Sequence, residues 1–476
     1  MLSRNRGAVI LIYRTTLYSA VRFAAAILVL VSLNTASHTI AQTSVGDLAL
    51  RVATLERELV ELHSNQRENP GVAPDFTTVA EQPQQYVIER APHKPADSWP
   101  TVHVGGFLQA DWGWLQQDAV NIATVGDVQD GADFRRTRLN AHGDVWENVG
   151  YMIEFDFGFP GRPSFMDVYL DIRDTKVGTF RFGQWRHPIG MDGLTSAKEL
   201  TFLERALPFA FLPFRQIGLG AFDHSQDETM TWAVSAFRFP TDAFGGNVGD
   251  NGGYGLASRV TLAPWITEDG SGLVHLGAAY SFGDPANGRV RYRNQPEFFI
   301  SETGGADLVP SGVPTNVPPF VDTGSIMANN FNIFAAEGGL VLGSFYMQSE
   351  AIYAVVNQTG GPTASFSGAY AYAGYFLTGE VRPYNRKNGV FGRVKPLRNF
   401  GLSGLGALEL AGRWSYIDLN DENISGGRMN DVTAGLNWYL NPRTKFQFNY
   451  THAFLNQTAF GNSDADLLVM RGQIDF

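Results

Sequence analysis

Asp466-Leu467-Leu468-Val469-Met470-Arg471-Gly472-Gln473-Ile474-Asp475-Phe476 carries two chemistries on alternate positions. Leu468, Met470, Gly472, Ile474 and Phe476 share one side, and Arg471, Gln473 and Asp475 the other. A period of two is a β-strand, because successive side chains point to opposite faces. The polar side is too charged for a protein core. The same pattern spreads outward. Phe446, Phe448 and Tyr450 alternate with Lys445, Gln447 and Asn449. Val432, Ala434, Leu436, Trp438 and Leu440 alternate with Asp431, Thr433, Asn437 and Tyr439. From the other direction, Val104 to Trp114 alternate with Gln109 and Asp111, and Leu139 and Ala141 with Arg136, Arg138, Asn140 and His142. Ile153 and Phe155 alternate with Glu154 and Asp156, and Leu170 and Ile172 with Asp167, Asp171 and Arg173.

A β-sandwich also alternates, with its polar side in water. A membrane barrel inverts the arrangement, apolar side to lipid and polar side to the lumen. Aromatics at strand ends, Trp112, Trp114, Tyr151, Trp185, Trp414, Tyr416, Trp438, Tyr439 and Tyr450, fit interfacial girdles and favour the barrel. Short turns at 147–148, 174–176 and 441–443 alternate with long connections at 115–134 and 187–214, the two-rimmed pattern of outer-membrane barrels. An aromatic closing the last amphipathic strand resembles the assembly signal of bacterial outer-membrane proteins. Seventeen segments alternate. Both barrel ends belong on the periplasmic side, so the number is even. Counting from each end makes 283–329 one long external connection and removes 289–293 as a spanning strand. The expected fold is all-β, a 16-stranded antiparallel transmembrane barrel over 102–476.

The 476 residues include 52 Gly, 34 Phe and no Cys, and 17% are charged. That excludes disulfide scaffolds, thiolate metal sites and Cys nucleophiles, and argues against disorder and nucleic-acid binding. Arg4, Arg6, Arg14 and Arg22 precede an apolar run at 23–33, which reads as a signal peptide over 1–41. Val45, Leu48, Val52, Leu55, Leu59 and Leu62 fit heptad positions, so 43–66 reads as a short coiled-coil helix. Six prolines between 70 and 100 make 67–101 a linker.

Phe134-Arg135-Arg136-Thr137-Arg138-Leu139, Gly183-Gln184-Trp185-Arg186, Leu194-Thr195-Ser196 and Leu200-Thr201-Phe202-Leu203-Glu204-Arg205 stand in order. Tyr375-Phe376-Leu377-Thr378-Gly379-Glu380 and Gly435-Leu436-Asn437-Trp438-Tyr439-Leu440-Asn441-Pro442 follow. Together they resemble the phosphate-selective porins of the O/P type across nearly all of 102–476. The resemblance implies a homotrimeric outer-membrane channel for small anions such as phosphate, often with a short N-terminal coil. It also implies an arginine path from the mouth to a constriction.

Arg289, Arg291 and Arg293 are candidates for that path, since in an extended segment they share one face about 7 Å apart. Arg135, Arg136 and Arg138 match the family's basic strand, with Glu154, Asp156 and Asp167 as competing ion-pair partners. Lys198, Arg205 and Arg215 belong to the connection 187–214, expected to fold into the pore. Arg386, Lys387, Arg393, Lys395 and Arg398 occupy an unusually long periplasmic connection with no acid between them. Arg suits phosphate because its donors form a planar fork. Only 6 of the 36 basic residues are Lys, and the net charge is −11, both departures from a phosphate collector. No hydrolase or nucleotide-binding motif occurs, and no cofactor or metal is expected. The alternatives are a general diffusion porin, a secreted β-rich hydrolase using acids such as Glu154 and Asp156, and a plugged structural barrel.

Overall fold

The computed structural model describes residues 99–476, apart from 159–162, 242–252, 300–306, 309–313, 316–317, 402–403 and 458. The leader, the heptads and the linker up to residue 98 lie outside the described residues. Sixteen long strands follow one another. They are β1 His103–Gln117, β2 Gly131–Trp146, β3 Val149–Asp156, β4 Ser164–Thr175, β5 Gly178–Arg186, β6 Arg215–His224, β7 Met230–Arg238 and β8 Tyr254–Ile266. The second half is β9 Gly272–Asp284, β10 Ile326–Leu342, β11 Phe345–Gln358, β12 Thr363–Phe376, β13 Ala407–Asp421, β14 Ile424–Asn441, β15 Thr444–Gln457 and β16 Gly461–Asp475.

Each strand pairs antiparallel with its neighbours in sequence, and β1 also pairs with β16, Phe107 opposite Asp475 and Gln117 opposite Ala465. The sheet is therefore a closed cylinder. Closure leaves no edge, and in lipid every backbone group must find its partner within the protein. Phe476 extends the seam by exchanging two backbone hydrogen bonds with Gly106, both 3.1 Å.

The alternation sorts as the physics requires. Trp112, Leu139, Leu170, Phe182, Leu256, Val432 and Leu468 are exposed on the outside. Gln109, Asp111, Arg138, Glu409 and Arg471 are buried on the inside. Two aromatics assigned to the girdles are corrected. Trp185 and Tyr439 are buried, and the Tyr439 hydroxyl donates to lumenal Glu409 at 2.9 Å. Trp438 and Tyr439 are adjacent, so on a strand they cannot share a face.

The rim holding both barrel ends carries tight turns, except for the connection 377–406. On the opposite rim the first five connections are long, but 359–362, 422–423 and 458–460 are short. The expected contrast between rims holds only for the first part of the barrel. Within 285–325, Arg289–Val290 pairs with 326–327 of β10 and Arg293–Asn294 with 321–322. Thus 289–293 does not span the barrel.

Candidate functional site

Three connections fold inward. The external connection 187–214 is buried along most of its length. Its backbone lies against one side of the lumen, because inward side chains there satisfy its carbonyls. Gln109 of β1 donates to the Ala197 carbonyl at 3.2 Å, and Gln473 of β16 to that of Lys198 at 3.1 Å. Lys445 and Gln447 of β15 hold Leu200 at 3.0 and 3.2 Å, and Asn437 of β14 holds Thr201 at 2.7 Å. Arg413 of β13 holds Glu204 at 2.9 Å. Buried backbone groups need such partners, so the polar half of these strands is the dock for a loop.

Glu204 is the hub of this dock. Its carboxylate receives Arg135 at 2.9 Å, Arg136 at 2.8 Å and Arg471 at 2.7 Å. Burial alone would raise its pKa, but the three guanidiniums outweigh burial and hold it well below the ordinary carboxylate range. Arg471 also grips Asp111. Adjacent strand residues normally point apart, yet Arg135 and Arg136 reach the same carboxylate. The register explains it. Gln109 faces Arg136 while Ala110 faces Phe134, so Arg135 is the extra residue of a β-bulge, which re-aims side chains.

Further cations are buried or half-buried in the lumen. Arg186, at the end of β5, donates to the Leu194 and Thr195 carbonyls at 2.6 and 2.9 Å. Arg205 donates to the Asp192 and Thr195 carbonyls at 2.8 and 2.7 Å. Neither has a carboxylate within ion-pair distance among the described residues. Burial lowers Arg205 to about 9, with Arg186 and Arg215 adding to the effect, which leaves it a cation at neutral pH. Arg215 pairs with Asp167 at 2.8 Å, and Arg138 with Asp156 at 2.7 Å and Glu154 at 3.7 Å. Lys198 is half-buried, 5.9 Å from the centre of the Phe107 ring. His187 is neutral, since burial lowers it to about 3. Its ring nitrogens sit 2.9 Å from the Ser235 hydroxyl and 3.1 Å from the Gln216 carbonyl.

The long connection 285–325 also enters the lumen. Glu297 pairs with Arg413 and lies 3.3 Å from the Thr433 hydroxyl, and Asn294 donates to the Leu207 carbonyl at 2.8 Å. The three arginines before it do not form one exposed row. Arg289 is exposed, Arg291 is exposed and paired with Asp322, and Arg293 is buried. The reason is local: pairing switches from β10 to 321–322 within a few residues.

The periplasmic connection 377–406 rises from the other end. Arg259 of β8 pairs with Glu337 of β10 at 2.7 Å and also donates to the Asn388 and Gly389 carbonyls at 3.0 and 2.7 Å. Gly389 has φ +61°, and a Cβ there would meet the Thr261 hydroxyl at 2.7 Å, so this hairpin tip needs glycine. Arg386 and Lys387 face Glu228, at 3.9 and 3.6 Å. Arg393 pairs with Glu199 at 3.0 Å and Asp475 at 2.6 Å. Lys395 and Arg398 are exposed and have no ion pair among the described residues. The acids missing from this segment in sequence come to it from other elements in space.

Sequence reasoning passed over Arg186, Arg382, Arg413, Lys445 and Arg471. All but Arg382 are basic residues on strand positions; Lys445 and Arg471 were read simply as the polar half of an alternation, and Arg186 only as part of a family motif.

A closed barrel with connections folded into its lumen is the architecture of outer-membrane channels. The family model for phosphate-selective porin O and P matches residues 102–476, and the chain belongs to that family. It is a porin of the bacterial outer membrane. Porin O of Pseudomonas aeruginosa is 25% identical over 394 residues, covering 76% of this chain and 85% of that protein. An uncharacterised protein of Caulobacter vibrioides is 29% identical over 395 residues, covering 78% of this chain and 73% of that one. Among solved structures, an anion-selective porin from Comamonas acidovorans is 10% identical and covers 79% of this chain and 99% of its own, with a TM-score of 0.47.

Proposed function

We propose that this porin conducts small oxyanions of the phosphate class by passive diffusion past Arg138, Arg186, Arg205 and Arg215. The observation that carries the reading is the bonding of Arg186 and Arg205. Each donates to carbonyl oxygens and has no carboxylate within ion-pair distance among the described residues, so each is fixed in place while its charge is only partly offset, by Asp167 for Arg186 and by Asp192 for Arg205. A passing anion then meets cations strong enough to attract it and wet enough to release it, as conduction requires. Arg289 at the mouth, Lys198 at the loop, and Lys395 and Arg398 at the periplasmic connection extend the basic route. The exposed apolar band contacts outer-membrane lipid. The barrel forms a homotrimer, a reading supported by the family and by the heptads at 43–66.

A general diffusion porin without phosphate preference is the second reading. It is favoured by the pairing of Arg138, Arg215, Arg259, Arg291 and Arg413 with acids. Planar-bilayer recording separates the two. In a salt gradient the reversal potential should report anion over cation permeability, and phosphate should block chloride current. Changing Arg186 and Arg205 together to Gln, which keeps a donor to the carbonyls, should lower anion preference by roughly two- to tenfold per charge. Unchanged selectivity would place the route elsewhere. Anion selectivity without phosphate block would favour the second reading.

A further inference from the structure

Where the connection 285–325 meets β14, two acids come together. The Glu297 N–H donates to Asp431 Oδ2 at 3.2 Å, and the two residues are 7% and 0% exposed. Glu297 Oε2 receives Arg413 of β13 and lies 3.3 Å from the Thr433 hydroxyl. The other oxygens, Glu297 Oε1 and Asp431 Oδ1, have no hydrogen-bond partner among the described residues. The charged neighbours of Asp431 among the described residues are Glu297 and Arg413, and that guanidinium is already paired with Glu297. The other groups on Arg413 are neutral, the Glu204 carbonyl at 2.9 Å and the Phe202 ring with its centre 4.3 Å away. The connection 187–214 brings Asp192 near Glu297 as a third acid; its own first cation is Arg205, and it draws on Arg413 as well.

An ionised Asp431 would be a buried charge without a partner of its own, which is strongly unfavourable. Two orphaned buried oxygens in one place also call for an explanation. A carboxylate only accepts, whereas a protonated acid can donate. One proton on the pair therefore removes the surplus charge and turns one of the two orphaned oxygens into a donor. We propose that Glu297 and Asp431 share one proton at neutral pH, and that this proton latches the connection 285–325 inside the lumen and makes the channel's width respond to pH. Burial favours this by holding the Glu297 carboxyl above its ordinary range, although Arg413 opposes it. The sign follows. The folded pair keeps a proton that the unfolded chain releases in the ordinary carboxylate range, so the latch is lost as pH rises through the raised folded value.

The test uses the whole porin with Asp431→Asn. The amide offers a carbonyl to the Glu297 N–H and a donor beside it, as the protonated acid does, but it cannot titrate. Infrared spectra in detergent at pH 7 should show protonated-carboxyl absorption that diminishes in the variant. Absence of that absorption in wild type, or equal absorption in both, would overturn the proposal. Above neutral pH the gel-band melting midpoint of wild type should fall by about 2–4 °C per pH unit relative to the variant. Single-channel conductance should rise between pH 6 and pH 9 in wild type and stay level in the variant. Parallel pH courses in the two proteins would overturn the latch. A variant that fails to fold would also overturn it, since the amide keeps the bonds of the protonated acid. None of these readouts depends on which ions the channel prefers, so a failure here is distinct from a failure of the conduction reading.

Discussion

Glu204→Gln removes one charge where three guanidiniums converge and hardly changes the shape. Arg471 keeps Asp111, whereas Arg136 is left with Gln109 at 2.8 Å and Arg135 with the Phe299 ring at 3.9 Å. Breaking a buried ion pair from one side costs about 3–5 kcal/mol. The retained partners put this case near the lower end, about 3 kcal/mol, and the heat-denaturation midpoint should fall on the order of 5 °C. The pH dependence has a definite sign. Glu204 is held below its unfolded value, so its contribution is complete above the ordinary carboxylate range and is lost as pH falls through the lowered folded value. The gap between variant and wild type should therefore be equal at pH 6 and 8 and close only in strong acid. Conduction should respond too. One carboxylate charge at about 8 Å from a passing anion is worth about 0.5 kcal/mol in water and about 2 kcal/mol at intermediate dielectric. Its removal should raise the anion to cation permeability ratio by roughly two- to thirtyfold. Gel-band melting and reversal potentials measure both. A variant with unchanged midpoint and unchanged selectivity would refute Glu204 as an ionised hub of the dock.

Changing Arg289, Arg291 and Arg293 together to Ala should reduce phosphate block of chloride current a few-fold while the barrel stays folded, since none lies on a spanning strand; unchanged block would remove them from the route. Arg413→Met should lower the melting midpoint more than Arg291→Met, because Arg413 leaves Glu297 buried and unpaired, at about 3–5 kcal/mol, whereas the exposed Arg291–Asp322 pair is worth about 1 kcal/mol or less; equal effects would contradict this ranking. Deleting 43–66 should weaken trimers without abolishing them in mild detergent, and light scattering that finds only monomers in the intact porin would end the trimer reading.

The strand pattern was legible because lipid and lumen impose opposite chemistries on neighbouring residues. Leu468 and Arg471 could be assigned faces from the sequence alone, and closure required an even number of strands. The dock of the inward connection 187–214 was legible only in part. Arg135 shows why: its parity points to lipid, and the bulge that turns it inward leaves no mark in the alternation. Arg186 was hidden differently, for its carbonyl partners at 194 and 195 become neighbours only when the connection folds back. The acid-free run at 386–398 was real in sequence, yet Glu228, Glu199 and Asp475 reach it from three separate elements. Tyr439 was placed on the girdle by residue type, although its neighbour Trp438 already claimed that face.

The docking of 187–214 has a consequence for biogenesis. This connection follows β5, but many of the side chains that receive it come from strands near the end of the chain. Arg471 reaches the Leu203 carbonyl across 268 residues of sequence. Contacts that distant form late, because the intervening chain must first be ordered. A nascent barrel lacking its final hairpins therefore offers only the part of the dock that the earlier strands supply, and the connection is fully seated only when the seam zips shut.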